Sequence, residues 1–270
     1  DVSQTPTLEW NCSDPENDPL TYDIYLGQSE NDLSIVENSY DGTSYTTTQL
    51  DNSTTYYWKI VAMDDHNNTS ESEIYTFTIE SGGGTTGSFT DPRDGQTYET
   101  VEIGNQVWFA ENLNYETDNS WWYDNDPDNG DTYGRLYTWE AALDACPDGW
   151  HLPTDEEWKT LEIELGMSQS EADDTGRRGT DQGEQMKSTS GWNDNGNGTD
   201  IYGFTALPGG FLSGYDNSFG NLEYYGYLWS STEINSEEAY NRYMHYVDGG
   251  IGRNNSNKDN GYSVRCVKNN

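Results

Sequence analysis

The sequence predicts two domains: an all-β antiparallel sandwich in residues 1–80 and a loop-rich α+β domain in residues 89–270. Three observations support this division. Apolar and polar residues alternate through the first part, as half-buried strands require. The stretch "ESGGGTTGS" then offers nothing to bury, so residues 81–88 are expected to form a flexible linker. Beyond it, two capped helix patterns occur among short strands and glycine-rich loops.

In the first domain, turn signals such as "DPENDP", "DGTS" and "DDHNN" separate the alternating runs "TLEW", "LTYDIYLG", "TTYYWKIVAMD" and "IYTFTIE". The stretch "LDNSTTYYWKIVAMD" resembles the E–F corner and F strand of fibronectin type III domains. That resemblance covers most of residues 3–80 and implies an immunoglobulin-like sandwich. It also implies that the Tyr56 hydroxyl hydrogen-bonds to backbone at the corner.

The second domain opens with a predicted hairpin that turns at "GNQ". In "TWEAALDA" a short helix is expected, with Thr138 as its N-cap. In "PTDEEWKTLEIELG" a second helix is expected, with Thr154 and Glu157 as a capping box and Gly166 at its end. The carboxylates of residues 155–157 are then explained by their position at a helix N-terminus, where the dipole favours negative charge.

The composition limits the possible functions. Hydrophobic residues are only 31% of the chain, but 14% are aromatic, so we expect a folded protein with cores built from large rings. The formal net charge of −37 argues against nucleic acid and anionic membranes as partners. It favours divalent cations held by loop carboxylates, or alternatively a surface adapted to salt. No apolar run approaches a membrane span, and the start on "DVSQTPTLEW" suggests a piece of a longer chain.

Five blocks of the second domain carry a more specific resemblance. They are "DPRDGQTYETVEIGNQVWFAENLNY", "GRLYTWEAALDACPDGWHLPTDEEW", "GFTALPGGF", "LWSST" and "GYSVRCV", in this order across residues 91–268. Together they resemble the Fibrobacter succinogenes major paralogous domain, which occurs in secreted and surface proteins of Bacteroidetes and related bacteria. That family is similar to the C-type lectin-like fold and to formylglycine-generating enzymes. The resemblance therefore implies a C-type lectin-like α+β fold for residues 89–270.

The three cysteines, Cys12, Cys146 and Cys266, lack the spacing of a zinc or redox motif. A nucleophilic Cys146 with His151 as base is one alternative, but a reactive thiolate needs electropositive surroundings and this chain is acidic. The C-type lectin-like resemblance instead implies a disulfide between Cys146 and Cys266, with His151 as a packing residue. The cysteine pair with which formylglycine-generating enzymes hold copper is not matched. No catalytic residues are therefore predicted.

Calcium is the one cofactor that the sequence suggests. The stretch "GWNDNGNGTDIYGF" begins like a calcium loop, but Phe204 stands where an EF-hand has glutamate. Two acidic loops of the first domain, expected at the same end of the sandwich, offer further oxygens. Ordinary turn chemistry is the alternative for all of these residues. The predicted ligands are Asn193, Asn195, Asn197 and Asp200, and separately Asp14, Asp18 and Asp64.

The last third of the second domain is the predicted ligand-binding region. In "AYNRYMHYV", a strand with Met244 and Tyr246 inward would turn Asn241, Tyr243 and His245 outward, beside a polar loop "GRNNSNKDNG". This composition, rich in Tyr, Asn, Ser, His and Arg, is typical of adaptable contact surfaces. Some C-type lectin-like proteins diversify this region through a retroelement, whereas a solvated loop is the alternative. The predicted contact residues are Glu233, Asn235, Asn241, Tyr243, His245, Arg253, Asn255 and Lys258.

These observations lead us to expect a non-catalytic, secreted or cell-surface binding or adhesion module. Its partner would be a protein or glycan on another cell or surface, with no nucleic acid and no direct membrane insertion. A structural subunit of an extracellular appendage is the first alternative, and self-association would accompany it. An enzyme of the formylglycine-generating or hydrolytic type is the second.

Overall fold

The computed structural model describes residues 5–16, 18–48, 50–51, 54–79 and 86–269. The chain divides into two compact units, residues 1–82 and residues 83–270. Of the predicted linker, residues 81–85 lie outside the described ranges. Residues 86–88 are not linker, because they begin a strand that is fully paired with the next strand of the second unit.

The first unit consists of short antiparallel strands. They are β1 (Thr7–Glu9), β2 (Thr21–Gly27), β3 (Ser34–Tyr40), β4 (Ser44–Thr46), β5 (Thr55–Met63), β6 (Thr69–Glu71) and β7 (Tyr75–Thr78). One sheet pairs β1 with β4; the other has the order β3-β2-β5-β6, and β7 also pairs with β5. Alternate residues of β2 and β5 are buried, which is why the period-two pattern was visible in the sequence.

The core of the first unit is small and aromatic-rich, with Leu8, Ile24 and Ile60 among its buried members. At the corner before β5, the Tyr56 hydroxyl accepts a hydrogen bond from the backbone N–H of Asp51 at 3.1 Å. This is the backbone contact that the sequence predicts for Tyr56. The finer fibronectin type III assignment stays a prediction.

Within residues 86–269, the second unit combines strands with five short α-helices. Its strands are β8 (Thr86–Thr90), β9 (Thr97–Ile103), β10 (Gln106–Phe109), β11 (Ser120–Trp121), β12 (Leu136–Tyr137), β13 (Trp150–His151), β14 (Gly176–Arg178), β15 (Gly209–Leu212), β16 (Phe219–Leu222), β17 (Tyr225–Glu233), β18 (Glu238–His245), β19 (Ile251–Asn257) and β20 (Val267–Lys268). Its helices are α1 (Pro127–Tyr133), α2 (Trp139–Leu143), α3 (Asp155–Glu164), α4 (Gln169–Asp173) and α5 (Gln182–Met186).

Two large sheets organise the described part of this unit, and β11 pairs with β12 in a separate small sheet. The first has the order β13-β20-β10-β9-β8, and the second has the order β14-β19-β18-β17-β15-β16. The predicted caps are present: the Thr138 side chain accepts from the backbone of α2, and Thr154 and Glu157 form the capping box of α3. Gly166 has a φ of 95°, a conformation that favours glycine where a helix ends.

A disulfide joins the segment after α2 to the last strand. Cys146 and Cys266 are bonded with a Cα–Cα distance of 5.8 Å and a sequence separation of 120. Cys266 is buried among aromatic core residues, which include Phe109 and Trp229. The structure thus contains the bond that the family resemblance implies, whereas Cys12 is a free and exposed thiol.

Buried ion pairs hold α3 against the second sheet. Asp155 accepts hydrogen bonds from Arg242 at 2.7 Å and from Arg253 at 2.7 Å. Glu162, two turns further along the same face of the helix, accepts from Arg242 at 2.6 Å and from Arg178 at 2.8 Å. Asp155 is therefore not only a carboxylate at a helix start, as the sequence suggests. Together with Glu162 it attaches α3 to strands β14, β18 and β19 through their arginines.

His151 differs from its predicted role as a packing residue. Its side chain is 36% exposed, and its ring nitrogens form hydrogen bonds with Asn269 Oδ1 at 2.6 Å and Glu157 Oε1 at 2.8 Å. The reason is the alternation of strand β13, which buries Trp150 and turns the next side chain outward. His151 links β13 to the cap of α3.

Candidate functional site

The predicted contact residues lie on or beside strands β17, β18 and β19, but they do not form one surface. The hairpin β17–β18 separates them into two groups at its opposite ends, and two further residues are buried between them. From Glu238 to His245 the strand makes seven steps, or about 23 Å at the usual rise of a β-strand. One ligand contact area of ordinary size would not unite all eight residues.

Asn241 and Arg253 were predicted to face solvent, and this is wrong. Asn241 is 1% exposed and donates from Nδ2 to Ser256 Oγ at 2.8 Å. Arg253 is buried against Asp155. For Arg253 the cause is that "GRNNSNKDNG" does not form a free polar loop: most of it belongs to β19, whose side chains alternate between the two faces of the sheet.

Four predicted residues form a polar cluster at the end of the hairpin that contains the β17–β18 turn. Lys258 was predicted to be a contact residue, but it is buried. It pairs with Glu233 at 3.0 Å, and its ammonium group lies 4.2 Å from the ring centre of Trp139. Asn235 accepts from the turn backbone, and Asn255 donates to Glu238 at 2.8 Å. These groups satisfy one another, so they stabilise the turn and offer few free contacts.

Tyr243 and His245 lie at the other end, where they meet two tyrosines of β17. The strand register places Tyr225 opposite His245 and Tyr227 opposite Tyr243. Side chains of directly paired residues project from the same face of a sheet. We call the resulting surface, together with Arg177 described below, the aromatic face.

The rings of the aromatic face are in mutual contact. Tyr225 and Tyr227 are stacked, with centroids 5.3 Å apart, and Tyr225 lies 4.3 Å from the ring of His245. Tyr243 lies 6.2 Å from both tyrosines of β17. Beyond them, Tyr227 stacks on Tyr262 at 4.9 Å, which connects the face to the buried core. This continuous contact fixes the rings before any ligand arrives.

The register adds Arg177 to the same row. Arg177 pairs with Gly252, Gly252 pairs with Tyr243, and Tyr243 pairs with Tyr227. A methyl group at Gly252 would overlap the ring of Tyr243, so the missing side chain is what lets this ring lie across β19 toward β14. The row crosses four strands, about 14 Å at the usual spacing between strands.

The face is nearly neutral in charge. Arg177, whose side chain is 60% exposed, forms an ion pair with Asp248. Burial lowers the pKa of His245; Asp248 opposes this effect, whereas Lys187 and Arg177 add to it. Burial, with the nearby Tyr225 and Asp248, raises the pKa of Tyr243. Both shifts favour the uncharged form of the side chain concerned.

Lys187 stabilises the end of strand β18 that carries His245. Its ammonium group is buried and donates to the backbone carbonyl oxygens of His245 at 3.3 Å, Tyr246 at 3.5 Å and Asp248 at 3.0 Å. It also lies 5.2 Å from the ring centre of Trp192. One internal cation thus binds the turn that carries His245 and Asp248.

Several polar groups of the aromatic face have no partner within the part of the chain that the structure describes. The hydroxyls of Tyr225 and Tyr243 and the ring nitrogens of His245 are among them. All three side chains are partly exposed. They are available to a ligand, in contrast to the polar cluster at the opposite end.

Sequence reasoning missed Tyr225, Tyr227 and Arg177. The alternation in "YGYLW" does indicate a strand with both tyrosines on one face, and it was the available signal. Nothing in the sequence near Arg177 pairs it with Gly252, seventy-five positions away, so no local signal existed for it.

The predicted calcium loops of the first unit do come together. Ligand atoms of Asp18, Asp65 and His66 lie within 4.8 Å of one another. Burial and the neighbouring Asp65, Asp14 and Asp64 raise the pKa of Asp18, and its hydrogen bond with His66 opposes this. Exposed acidic groups often cluster without a metal, so calcium at this place stays a prediction.

Two of the predicted oxygens, those of Asp14 and Asp64, serve the backbone of their own loops. Asp14 Oδ1 accepts from the N–H groups of Glu16 and Asp18, and Asp64 Oδ1 accepts from those of His66 and Asn68. This is the turn chemistry that was the alternative to a metal site.

In the predicted calcium loop of the second unit, side-chain oxygens also accept hydrogen bonds from within the chain. Asn197 Oδ1 accepts from the backbone of Trp192 at 3.0 Å, and Asp200 accepts from the N–H and the hydroxyl of Thr205. Asn193 and Asn195 lie at the two ends of a single 3₁₀ turn. Burial raises the pKa of Asp200, and its bonds with Thr205 oppose that rise.

The basic side chains of the protein are almost all engaged internally. Within the described residues, each lysine and arginine except Lys268 forms an ion pair or donates to backbone carbonyls. Arg265, for example, donates to the carbonyls of Phe109 and Thr205. The paired or carbonyl-bound residues are Lys59, Arg93, Arg135, Lys159, Arg177, Arg178, Lys187, Arg242, Arg253, Lys258 and Arg265. The carboxylates that make up the charge of −37 therefore dominate the surface.

Comparison with protein families identifies the second unit. Residues 101–268 match the model of the Fibrobacter succinogenes major domain. The chain belongs to this family. In this Fibrobacter succinogenes major domain, the matched range includes the disulfide, helix α3 and the whole aromatic face. No curated protein and no solved structure matches the chain. Within the described ranges, no helix is both long enough and apolar enough to cross a membrane.

Proposed function

We propose that this protein is a non-catalytic binding or adhesion module that acts outside the cell and makes contact with its ligand through the aromatic face. The observation that carries the proposal is the arrangement of Tyr225, Tyr243 and His245. Their rings are in mutual contact, but their polar atoms have no partner in the part of the chain that the structure describes. Rigid aromatic side chains with free hydrogen-bonding groups give contact area at low conformational cost.

The chemistry around the cysteines supports a binding role over a catalytic one. Cys146, the one candidate nucleophile near a histidine, has its sulfur bonded to Cys266 and is no thiolate in this form. His151 is held between Asn269 and Glu157 at the cap of α3. Both residues therefore have structural roles, and the sulfur of Cys146 is not available as a nucleophile in this form.

An extracellular location is part of the same proposal. A disulfide that closes a long loop persists in oxidising surroundings and is uncommon in the cytosol. The carboxylate-dominated surface favours solubility and repels nucleic acids and anionic lipids. The first unit, a β-sandwich, would serve as a spacer that presents the second.

A binding panel tests the proposal. The purified protein is applied to arrays of glycans and of bacterial and host surface proteins, with and without EDTA. We expect saturable binding that falls at least tenfold in a Tyr225→Ala, Tyr243→Ala double variant. Tyr215→Ala is the matched control, since Tyr215 is 97% exposed and outside the aromatic face.

Two results would contradict the proposal. One is a panel without any bound ligand. The other is binding that the double variant retains in full, which would place the contact surface elsewhere. A sizing column run on the same sample addresses the filament alternative, because an appendage subunit forms large oligomers and a binding module stays small.

A further inference from the structure

The charge around the aromatic face limits the ligand. Its one exposed cation, Arg177, is already paired with Asp248, and the rest of the surface is rich in carboxylates. An anionic polymer would meet repulsion on approach and would find no free cation at the site. A cationic ligand would meet Arg177 and, behind it, the buried ammonium group of Lys187. The face is best suited to an uncharged ligand.

The polar groups of the face fit hydroxyl groups. A sugar hydroxyl both donates and accepts, and the Arg177–Asp248 pair presents a donor and an acceptor side by side at one edge of the row. The hydroxyls of Tyr225 and Tyr243 and the imidazole of His245, which have no partner among the described residues, supply further hydrogen-bonding groups. Hydrogen bonds to charged groups are the stronger ones, so the ion pair gives orientation.

The ring surfaces fit the other side of a sugar. A pyranose has an apolar patch of C–H groups on one face of its ring, and half-exposed aromatic rings bury such patches from water. The row from Arg177 to Tyr227 is about 14 Å long, which is longer than a single sugar ring. A surface of rings flanked by a donor–acceptor pair accommodates a short linear stretch of sugars.

We infer that the aromatic face binds a neutral, pyranose-containing glycan, with its sugar rings on Tyr225 and Tyr243 and its hydroxyls on the Arg177–Asp248 pair. This inference rests on the proposed binding function and names its ligand class. Because the groups involved include no metal ligand, the binding is independent of calcium.

The test uses the full chain and soluble neutral oligosaccharides: cellohexaose, xylohexaose, mannohexaose and chitohexaose. Binding is measured by isothermal calorimetry in EDTA, and saturation-transfer NMR identifies the protons in contact. We expect at least one of these sugars to bind, with transfer strongest at pyranose C–H protons. Acidic oligosaccharides, represented by oligogalacturonate, are expected not to bind.

Two variants locate the site without removing a core side chain. Gly252→Ala retains all side chains of the face but displaces the Tyr243 ring, and a loss of affinity of about tenfold or more is expected. Tyr243→Phe retains the ring and removes one hydroxyl, and we expect a loss of two- to tenfold, about the contribution of one hydrogen bond. Tyr215→Ala should leave the affinity unchanged. Melting temperatures of all variants report whether each remains folded.

The outcomes separate this inference from the proposed function. Binding of acidic glycans or of surface proteins alone, lost in Gly252→Ala, overturns the ligand class but supports the aromatic face as a contact surface. Binding of a neutral glycan that both variants retain overturns the location. If neither neutral glycans nor any member of the surface panel binds, both the inferred ligand class and the proposed binding function are overturned.

Discussion

The disulfide between Cys146 and Cys266 should contribute a large share of the stability of the second unit. It closes a loop of 120 residues, for which the chain-entropy model gives about 4.9 kcal/mol at 25 °C. Cys266 is also fully buried, so its replacement removes packing as well. We therefore expect a Cys146→Ala, Cys266→Ala double variant to lose about 5 kcal/mol in the free energy of unfolding.

This loss converts to a temperature shift. Residues 83–270 form one compact unit, and an unfolding entropy of about 2.1 cal/mol/K per residue gives roughly 0.4 kcal/mol/K for it. The expected fall in the melting temperature is thus about 12 °C, measured by calorimetry on the transition of the second unit. Cys12→Ser is the control, because Cys12 is exposed and unpaired, and it should leave that transition unchanged.

Two observations would refute this reasoning. One is a loss of less than about 1 kcal/mol in the double variant, which would mean that the loop closure contributes little to the unfolded-state entropy. The other is alkylation of both Cys146 and Cys266 in the unreduced, denatured wild-type protein, which would show that the bond is absent.

Three further outcomes are expected. Arg242→Met should reduce the free energy of unfolding by about 3–5 kcal/mol in urea titrations, because it leaves Asp155 and Glu162 buried with fewer partners. Lys268→Met is the control: it replaces an exposed cation and should change the free energy of unfolding little. Burial would raise the pKa of Asp155, but its hydrogen bonds and charge interactions with Arg253 and Arg242 outweigh this effect and lower it. The stabilisation from this group is therefore complete above the unfolded pKa of about 3.9 and is lost as the pH falls below it. Asp155→Asn should make the free energy of unfolding less dependent on pH in this acidic range, and an unchanged dependence would contradict the assignment. Millimolar calcium should raise the melting temperature of the first unit in the wild type and less in Asp65→Asn, whereas no response in the wild type removes the calcium prediction.

The local features of the fold could be predicted because their causes are local. The capping box of α3 needs only Thr154 and Glu157, three positions apart, and the strands β2 and β5 follow from alternation within a few residues. The candidate site could be predicted only in part. Tyr243 and His245 were placed on an outward face by the period of one strand, and the structure agrees that both are partly exposed.

The errors have a common physical cause. Asn241 lies on the same face as Tyr243, but it is covered at its end of the strand by residues from far along the chain, such as Tyr262, which hydrogen-bonds to Ser256 beside it. Arg253 was predicted to lie in a loop, but its segment is strand β19, which pairs with β18 and β14. Strand pairing at long sequence separation decides burial, and a single sequence does not display it.

The sequence alone determined the division into a β-rich first unit and a second unit that also contains helices, the helix caps, the acidic character and the family of the second unit, because each is encoded in composition or in short patterns. Only the tertiary structure decided where a ligand has free groups to meet. It aligned Arg177, Gly252, Tyr243 and Tyr227 across four strands. It also engaged nearly all of the basic side chains in ion pairs or in hydrogen bonds to backbone carbonyls. The physical reason is that register and burial arise from contacts between distant segments, and these exist only once the chain has folded.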